Sequence, residues 1–176
     1  TALLHIGTRK TGTTTIQNML ADTRGSMAPV RYPIMDHDRD HNRLVTLYLP
    51  RDRWPVQWRH VRPEDCRRYR RFISKELISA DDALLSGEAL SSWFDLAAAQ
   101  RLRDDLEGFG FQRFHVILYV RDPADYYLSF MQQILKVSAN GSPMGFHPAT
   151  FRYGLQRMAQ TWEGAFPGSL VVRKFP

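Results

Sequence analysis

The sequence predicts an α/β fold in which a parallel sheet carries helices on both faces. Short apolar runs, which are typical of buried strands, alternate along the chain with longer segments of helical periodicity. This alternation favours a parallel sheet over a sandwich or a helical bundle. The length of 176 residues suffices for a single sizeable core, so we predict one domain over residues 1–176.

The first half of the chain predicts two strands and two helices. The run ALLHIG, residues 2–7, is continuous and apolar and indicates a buried strand. From Thr13 the apolar residues recur at spacings of three and four, so a helix begins at the threonines. Residues 25–62 show no clear period, and we expect a long irregular segment of a kind that is often functional. A second helix begins at Pro63, and ALLSGE, residues 83–88, predicts the second strand.

The second half continues the same alternation. The expected elements, in order, are a helix over 95–110, a strand over 113–120, a helix over 122–137, a helix over 148–166 and a strand over 169–175. Because the chain stops directly after this last strand, we expect the C-terminal part of the domain to be missing.

The net charge and the cysteine content limit the range of binding partners and of cellular compartments to expect. The net charge of +6 favours anionic partners, although a solvated basic surface explains it equally well. The single cysteine, Cys66, excludes a disulfide within the chain and fits a reducing compartment, so we expect a cytoplasmic location. No apolar run reaches the roughly 18 residues that a membrane-spanning helix requires.

The segment after the first strand has the composition of an anion-binding loop. Gly7 and Gly12 allow a tight turn, Lys10 adds a positive charge, and threonine hydroxyls add donors at the start of a helix. The threonines are Thr11, Thr13, Thr14 and Thr15. Thr13 stands where the ATPase and GTPase loop pattern requires lysine, so the match to that pattern is poor. A plain turn with incidental threonines is the alternative.

The stretch GTRKTGTTTIQNML resembles the 5′-phosphosulfate loop of the sulfotransferases that use 3′-phosphoadenosine-5′-phosphosulfate (PAPS). The resemblance implies a P-loop NTPase-like sulfotransferase fold and implies that Arg9, Lys10 and residues 11–15 bind the cofactor. It implies no metal.

A second stretch, LYVRDPADYYLS, residues 118–129, resembles the 3′-phosphate site of the same family. Arg121, Pro123, Asp125 and Ser129 match at the family's spacing, whereas Asp122 replaces the usual asparagine. An arginine at the carboxyl edge of a strand can offer two parallel donors to a phosphate. The resemblance implies that Arg121 and Ser129 bind the 3′-phosphate. A structural pairing of the arginine with Asp125 is the alternative.

Catalysis of sulfuryl transfer requires a cation near the leaving oxygen and a base for the acceptor hydroxyl. Lys10 is the candidate for the first role. Glu88, at the end of the second strand, is the candidate base, because residues 88–94 resemble the Glu-x-x-x-x-x-Phe segment of glycan sulfotransferases. The expected acceptor is therefore a small molecule or a glycan, and the net positive charge of the protein suits an acidic acceptor. We expect no nucleic-acid partner. The sequence leaves the oligomeric state open. The alternative for Glu88 is a helix cap or a surface acid.

Other residues are weaker candidates. His37 and His41 are rival bases in a loop expected to be mobile and near the acceptor, whereas His5 is expected in the core. A basic helix face can bind an acidic glycan or simply be solvated; it comprises Arg67, Arg68, Arg70, Arg71 and Lys75. Trp54, Trp58 and Trp93 can stack on sugars or pack in the core.

Two other functions remain open. A P-loop kinase would require the Gly-Lys-Ser/Thr sequence, which is absent, and an acid for magnesium, for which Asp122 is a weak candidate. A non-catalytic module that binds nucleotides or polyanions would require neither Lys10 nor Glu88.

Overall fold

The computed structural model describes residues 1–137 and 151–175 of the chain. Five strands form one all-parallel sheet in the order β2-β3-β1-β4-β5, and helices connect them. The strands are β1 (Ala2–His5), β2 (Val30–Arg31), β3 (Asp82–Ser86), β4 (Phe114–Val120) and β5 (Leu170–Lys174). The α/β class and the parallel sheet are thereby confirmed.

Three of the seven α-helices of the described residues begin at a proline or at a capping carboxylate. They are α1 (Thr13–Thr23), α2 (Val45–Tyr48), α3 (Pro63–Ile78), α4 (Glu88–Trp93), α5 (Leu96–Gly108), α6 (Pro123–Val137) and α7 (Leu155–Ala165). Pro63 opens α3, where a missing N–H costs nothing. The carboxylate of Asp95 accepts a hydrogen bond from the Ala98 N–H at 2.8 Å and caps α5. Asp122 does the same for the Ala124 N–H at 2.9 Å at the start of α6.

Three elements were not expected from the sequence, and one helix begins later than expected. β2 has two residues and exists because Val30 and Arg31 pair with the start of β3. The short helices α2 and α4 carry too few turns for a periodic signal. The helix expected over 148–166 begins only at Leu155, since 151–154 are not helical and Gly154 is left-handed (φ 68°); 148–150 lie outside the described residues.

The core lies between the central strands and the helices α2, α3, α5 and α7. Leu4, Leu85 and Leu118 are fully buried in β1, β3 and β4. Trp162 of α7 is also fully buried, with its ring stacked between those of Phe94 and Phe166 at centroid distances of 5.8 Å each. Each fully buried leucine contributes roughly 1.5–3 kcal/mol, so this core holds the strand ends in place.

The strand order creates one topological switch point. β1 lies between β3 and β4; the chain leaves β1 toward β2 on one side and leaves β4 toward β5 on the other. Open parallel sheets bind ligands in the crevice outside the carboxyl ends of two such strands. A ligand is therefore expected at the segments that follow β1 and β4. Among the helices of the described residues, none has the length and apolarity needed to cross a membrane.

Candidate functional site

The loop between β1 and α1 begins at the switch point. The Thr8 N–H donates to the Tyr119 carbonyl of β4 at 2.8 Å, so the loop starts tied to the neighbouring strand. Lys10 (φ 66°) and Gly12 (φ 67°) both have left-handed backbones. Left-handed residues close together in a loop are typical of backbone concavities that bind anions. The loop then enters the N-terminus of α1, where unpaired N–H groups and the helix dipole favour negative charge.

Close packing within the loop explains both of its glycines. The Thr11 hydroxyl is buried and donates to the Thr8 carbonyl at 2.6 Å, so it supports the loop from inside rather than facing a ligand. A Cβ on Gly7 would lie 2.9 Å from the Thr13 methyl group. A Cβ on Gly12 would lie 2.9 Å from the ring of Phe175, which covers the loop from beyond β5. A side chain at Gly7 would crowd the inside of the loop, and one at Gly12 would require the Phe175 ring to shift.

Glu88 lies against this loop. The Thr13 hydroxyl donates to Glu88 Oε2 at 2.8 Å, and Arg9 Nε lies 3.8 Å from Glu88 Oε1. Both loop residues and the carboxylate therefore meet at one place. Within residues 1–137 and 151–175, Arg9 is the partner of Oε1, at 3.8 Å, so this oxygen keeps lone pairs that can accept a proton.

The backbone that presents Glu88 is held by the loop over 40–42. The Ala89 N–H donates to Asn42 Oδ1 at 2.7 Å, and Asp40 in turn accepts from Asn42. His41 makes two hydrogen bonds to the backbone of Ser86. The backbone N–H of His41 donates to the Ser86 carbonyl at 2.6 Å, and its Nδ1 accepts from the Ser86 N–H at 3.0 Å. Part of the segment expected to be irregular therefore positions the start of α4.

The sequence suggested that His41 is a base in a mobile loop. The structure gives it a different role. It is fully buried; Nδ1 accepts a hydrogen bond, so Nε2 carries the proton and donates to the Pro33 carbonyl at 2.7 Å. Burial lowers the pKa of His41 to about 4. The ring is neutral and both its nitrogens are occupied. The neighbouring His37 is exposed.

Arg121, the first residue after β4, reaches the loop. Its Nη1 donates to the Lys10 carbonyl at 3.2 Å, although the two residues are 111 positions apart. Its Nε is buried and has no hydrogen-bond partner in the part of the chain that the structure describes. A buried charged donor without a partner is costly, and a bound anion would satisfy it. The alternative, a structural ion pair of Arg121 with Asp125, is not formed, and Asp125 is exposed.

Tyr153 links these two segments and was missed by the sequence analysis. Its hydroxyl lies 2.6 Å from Thr8 Oγ1 and accepts from the Arg121 N–H at 3.1 Å. Its ring stacks on Tyr126 of α6, with the centroids 4.0 Å apart. Nothing in the local sequence marks this tyrosine, since its partners are distant along the chain.

A cavity of about 410 Å³ opens beside the loop. It is lined by Arg9, Lys10, Gly12, Thr13, Thr14, Glu88 and Gln133. Six of these seven residues come from the predicted cofactor and catalytic set, and Gln133 was not predicted. Ser129 is half-buried on α6 and does not line this cavity, and Thr15 is exposed in the first turn of α1.

A larger cavity, of about 580 Å³, lies beside β2 at the end of α1. Its charged lining includes Arg31 and Glu76, which face each other at 3.8 Å. None of the predicted site residues lines it. We therefore place the candidate site at the loop and not at this larger cavity.

The remaining candidate residues divide into those with structural partners and those on the surface. His5 lies in the core as expected, where its Nδ1 is 2.7 Å from Ser86 Oγ, and burial lowers its pKa to about 4. Trp54 is buried and donates to the Leu49 carbonyl at 2.9 Å, Trp58 is half-buried against the core, and Trp93 is partly exposed. On α3, Arg67, Arg68 and Arg70 pair with Glu64, Asp36 and Asp105, whereas Arg71 and Lys75 are exposed.

Within 1–137 and 151–175, no cluster of three or more histidine, cysteine or acidic side chains has the arrangement of a metal site. No protein-family model, no curated protein and no solved structure matches this chain. The candidate function therefore depends on the geometry of the loop, Arg121 and Glu88.

Proposed function

We propose that the protein is a PAPS-dependent sulfotransferase that transfers the sulfuryl group to a hydroxyl or an amine of an acceptor, with a carbohydrate as the expected acceptor. The observation that carries the proposal is the 3.2 Å hydrogen bond from Arg121 to the Lys10 carbonyl. It joins, at the switch point, two segments whose sequences resemble the two anion sites of one nucleotide. A three-layer fold of the P-loop sulfotransferase type is part of the same proposal.

The residues present fit such a nucleotide. The loop offers the N-terminus of α1 and the side chains of Arg9 and Lys10 to the 5′ group. Arg121 offers its unpartnered Nε to the 3′-phosphate. PAPS would supply the sulfuryl group and a phosphate leaving group. Lys10 would stabilise the charge that develops on the leaving oxygen.

Glu88 would take the proton of the acceptor hydroxyl at Oε1, while Oε2 stays bonded to Thr13. This bond fixes the carboxylate beside the loop, where an acceptor oxygen has to approach in line with the leaving group. Arg9 Nε, 3.8 Å from Oε1, lies close enough to attract the carboxylate and orient it beside the loop. Cys66, half-buried and unpaired, suits a reducing compartment, so the proposal includes a cytoplasmic location.

The kinase alternative has less support. Asp122, its candidate ligand for magnesium, instead caps α6 through the Ala124 N–H. A purely binding module would explain Arg121 and the loop, but it gives no reason for the carboxylate of Glu88 to be held inside an anion site by Thr13.

Calorimetric titration with 3′,5′-ADP, ATP–magnesium and 2′,5′-ADP tests the proposal. We expect 3′,5′-ADP, the product that remains after transfer, to bind most tightly. We expect Arg121→Ala to weaken its binding by about 10–100-fold, because charge-assisted hydrogen bonds are lost. Arg71→Ala, which removes an exposed arginine of α3, is the matched control and should change nothing. Tighter binding of ATP–magnesium would overturn the proposal in favour of a kinase.

A further inference from the structure

The two proposed anion sites are held together by three links, and one of them comes from a third segment. The Thr8 N–H bonds to the carbonyl of β4 residue Tyr119 at 2.8 Å, and Arg121 Nη1 bonds to the Lys10 carbonyl at 3.2 Å. The third link is the hydroxyl of Tyr153, which lies 2.6 Å from Thr8 Oγ1 and 3.1 Å from the Arg121 N–H. A single oxygen atom thus fixes the distance between the start of the loop and the start of the arginine segment.

The Tyr153 link does not use the donors that a ligand would need. It involves the Thr8 side chain, which is buried, and the main chain of Arg121, and it leaves the guanidinium available. The ring cannot move freely, because it stacks on Tyr126 at a centroid distance of 4.0 Å and an interplanar angle of 18°. The link therefore persists when anions occupy the loop and the guanidinium.

We infer that Tyr153 is a positioning residue that sets the spacing between the loop and Arg121, and thereby the preference for a nucleoside 3′,5′-bisphosphate over a nucleoside 5′-monophosphate. The inference rests on the proposed function. A 3′,5′-bisphosphate has its two phosphates at a spacing fixed by the ribose, so it gains from a site that is already set to that spacing. A 5′-monophosphate occupies the loop alone and gains little from the position of Arg121.

The test compares the affinities of 3′,5′-ADP and 5′-AMP for the wild-type protein and for Tyr153→Phe. The substitution removes the hydroxyl and keeps the stacked ring. We expect the preference for 3′,5′-ADP to fall about tenfold, because one hydrogen bond that positions Arg121 is lost. The affinity for 5′-AMP should be nearly unchanged. Tyr126→Phe removes the hydroxyl from the other ring of the stack and should leave the preference as it is.

A second variant breaks the same link from the other side. Thr8→Val removes the hydroxyl and keeps the side-chain volume, so we expect the same loss of preference for 3′,5′-ADP. This variant tests the link even if Tyr153→Phe folds poorly. The control Thr8→Ser keeps a hydroxyl and should retain the preference. An unchanged preference in Tyr153→Phe and Thr8→Val, or an equal loss for both nucleotides, overturns the inference and leaves the proposed function standing. A wild-type protein without any preference for 3′,5′-ADP overturns both.

Discussion

Glu88 shows how the surroundings of one side chain define what it can do. An acid at the first position of a six-residue helix is an ordinary feature, and the sequence left this possibility open for Glu88. In the structure the carboxylate instead accepts from Thr13 of the opposite segment at 2.8 Å, and it lines the cavity beside the loop. A residue that only caps its own helix has no need for such a partner. Its place beside Arg9 and Lys10 supports a role in proton transfer.

Replacing Glu88 with glutamine tests this role. The amide oxygen of glutamine still accepts from Thr13, so we expect the loop to keep its shape and the affinity for 3′,5′-ADP to change little. Turnover should fall by about 10²–10⁴-fold, because the amide cannot take the acceptor proton. Steady-state kinetics with PAPS and a hydroxyl acceptor, beside calorimetry with 3′,5′-ADP, separates the two effects.

The matched control for this substitution is Glu64→Gln, which changes an exposed acid in the first turn of α3. Its turnover should equal that of the wild type. A large loss of 3′,5′-ADP affinity in Glu88→Gln, with turnover of the bound form intact, would show that the glutamate supports the loop and is no base.

The loop and α1 behave as one element whose conformation depends on glycine. Gly12 stands at the helix N-cap with a left-handed backbone (φ 67°), and an added Cβ would lie 2.9 Å from the ring of Phe175, which would have to shift. The preceding strand and the following helix were both evident from periodicity. The crowding by Phe175 was not, because this contact joins opposite ends of the chain.

Alanine at Gly12 should destabilise the fold by roughly 1–3 kcal/mol, since it adds a left-handed penalty and a clash with Phe175. Urea denaturation followed by circular dichroism measures this change. Gly25→Ala is the matched control, because Gly25 has an ordinary backbone and no atoms within 4 Å of the added Cβ. Equal stability of the two variants would show that the loop relaxes without cost.

Among the elements, the sequence revealed those that repeat a pattern over several turns or strand residues. β1, β4, α3 and α5 lie within a few residues of their expected bounds. β2 and α4 escaped notice because they are stabilised by neighbours: β2 by its pairing with β3, and α4 by the Asn42 side chain at its second N–H. A short element without its own periodicity is specified only by its tertiary contacts.

At the scale of the whole molecule, two buried histidines make stability depend on pH. Burial lowers the pKa of His5 and of His41 to about 4 in the folded protein, from 6.5. Between these values the unfolded chain binds protons that the folded chain does not, so the free energy of unfolding is highest above pH 6.5 and falls as the pH drops toward 4. Each histidine accounts for roughly 3 kcal/mol over this range.

Denaturant unfolding at several pH values between 7 and 5 measures the effect. Half-buried Asp38 and Asp40 oppose it, since partial burial raises the pKa of each carboxyl and favours the folded state as the pH falls. Comparison with His5→Asn isolates the histidine contribution: its slope should be smaller by up to about 1.4 kcal/mol per pH unit. Identical slopes in the two proteins would show that His5 titrates normally in the folded state.

The sequence by itself determined the α/β class, the parallel sheet and the candidate anion loop, because each depends on residues that are neighbours along the chain. Periodicity reports which face of an element is buried, and a loop of glycine, lysine and threonine indicates its own chemistry. It also named Arg121 and Glu88, through short patterns that follow a strand.

Only the tertiary structure decided how these parts meet. The strand order places β1 between β3 and β4. The β4 neighbour brings Arg121 to the Lys10 carbonyl across 111 residues, and the β3 neighbour brings Glu88 to Thr13. It also assigned His41 to the support of Ser86 and Tyr153 to the link between Thr8 and Arg121. These roles arise from distances between residues that are remote along the chain, and such distances are fixed by packing and strand pairing.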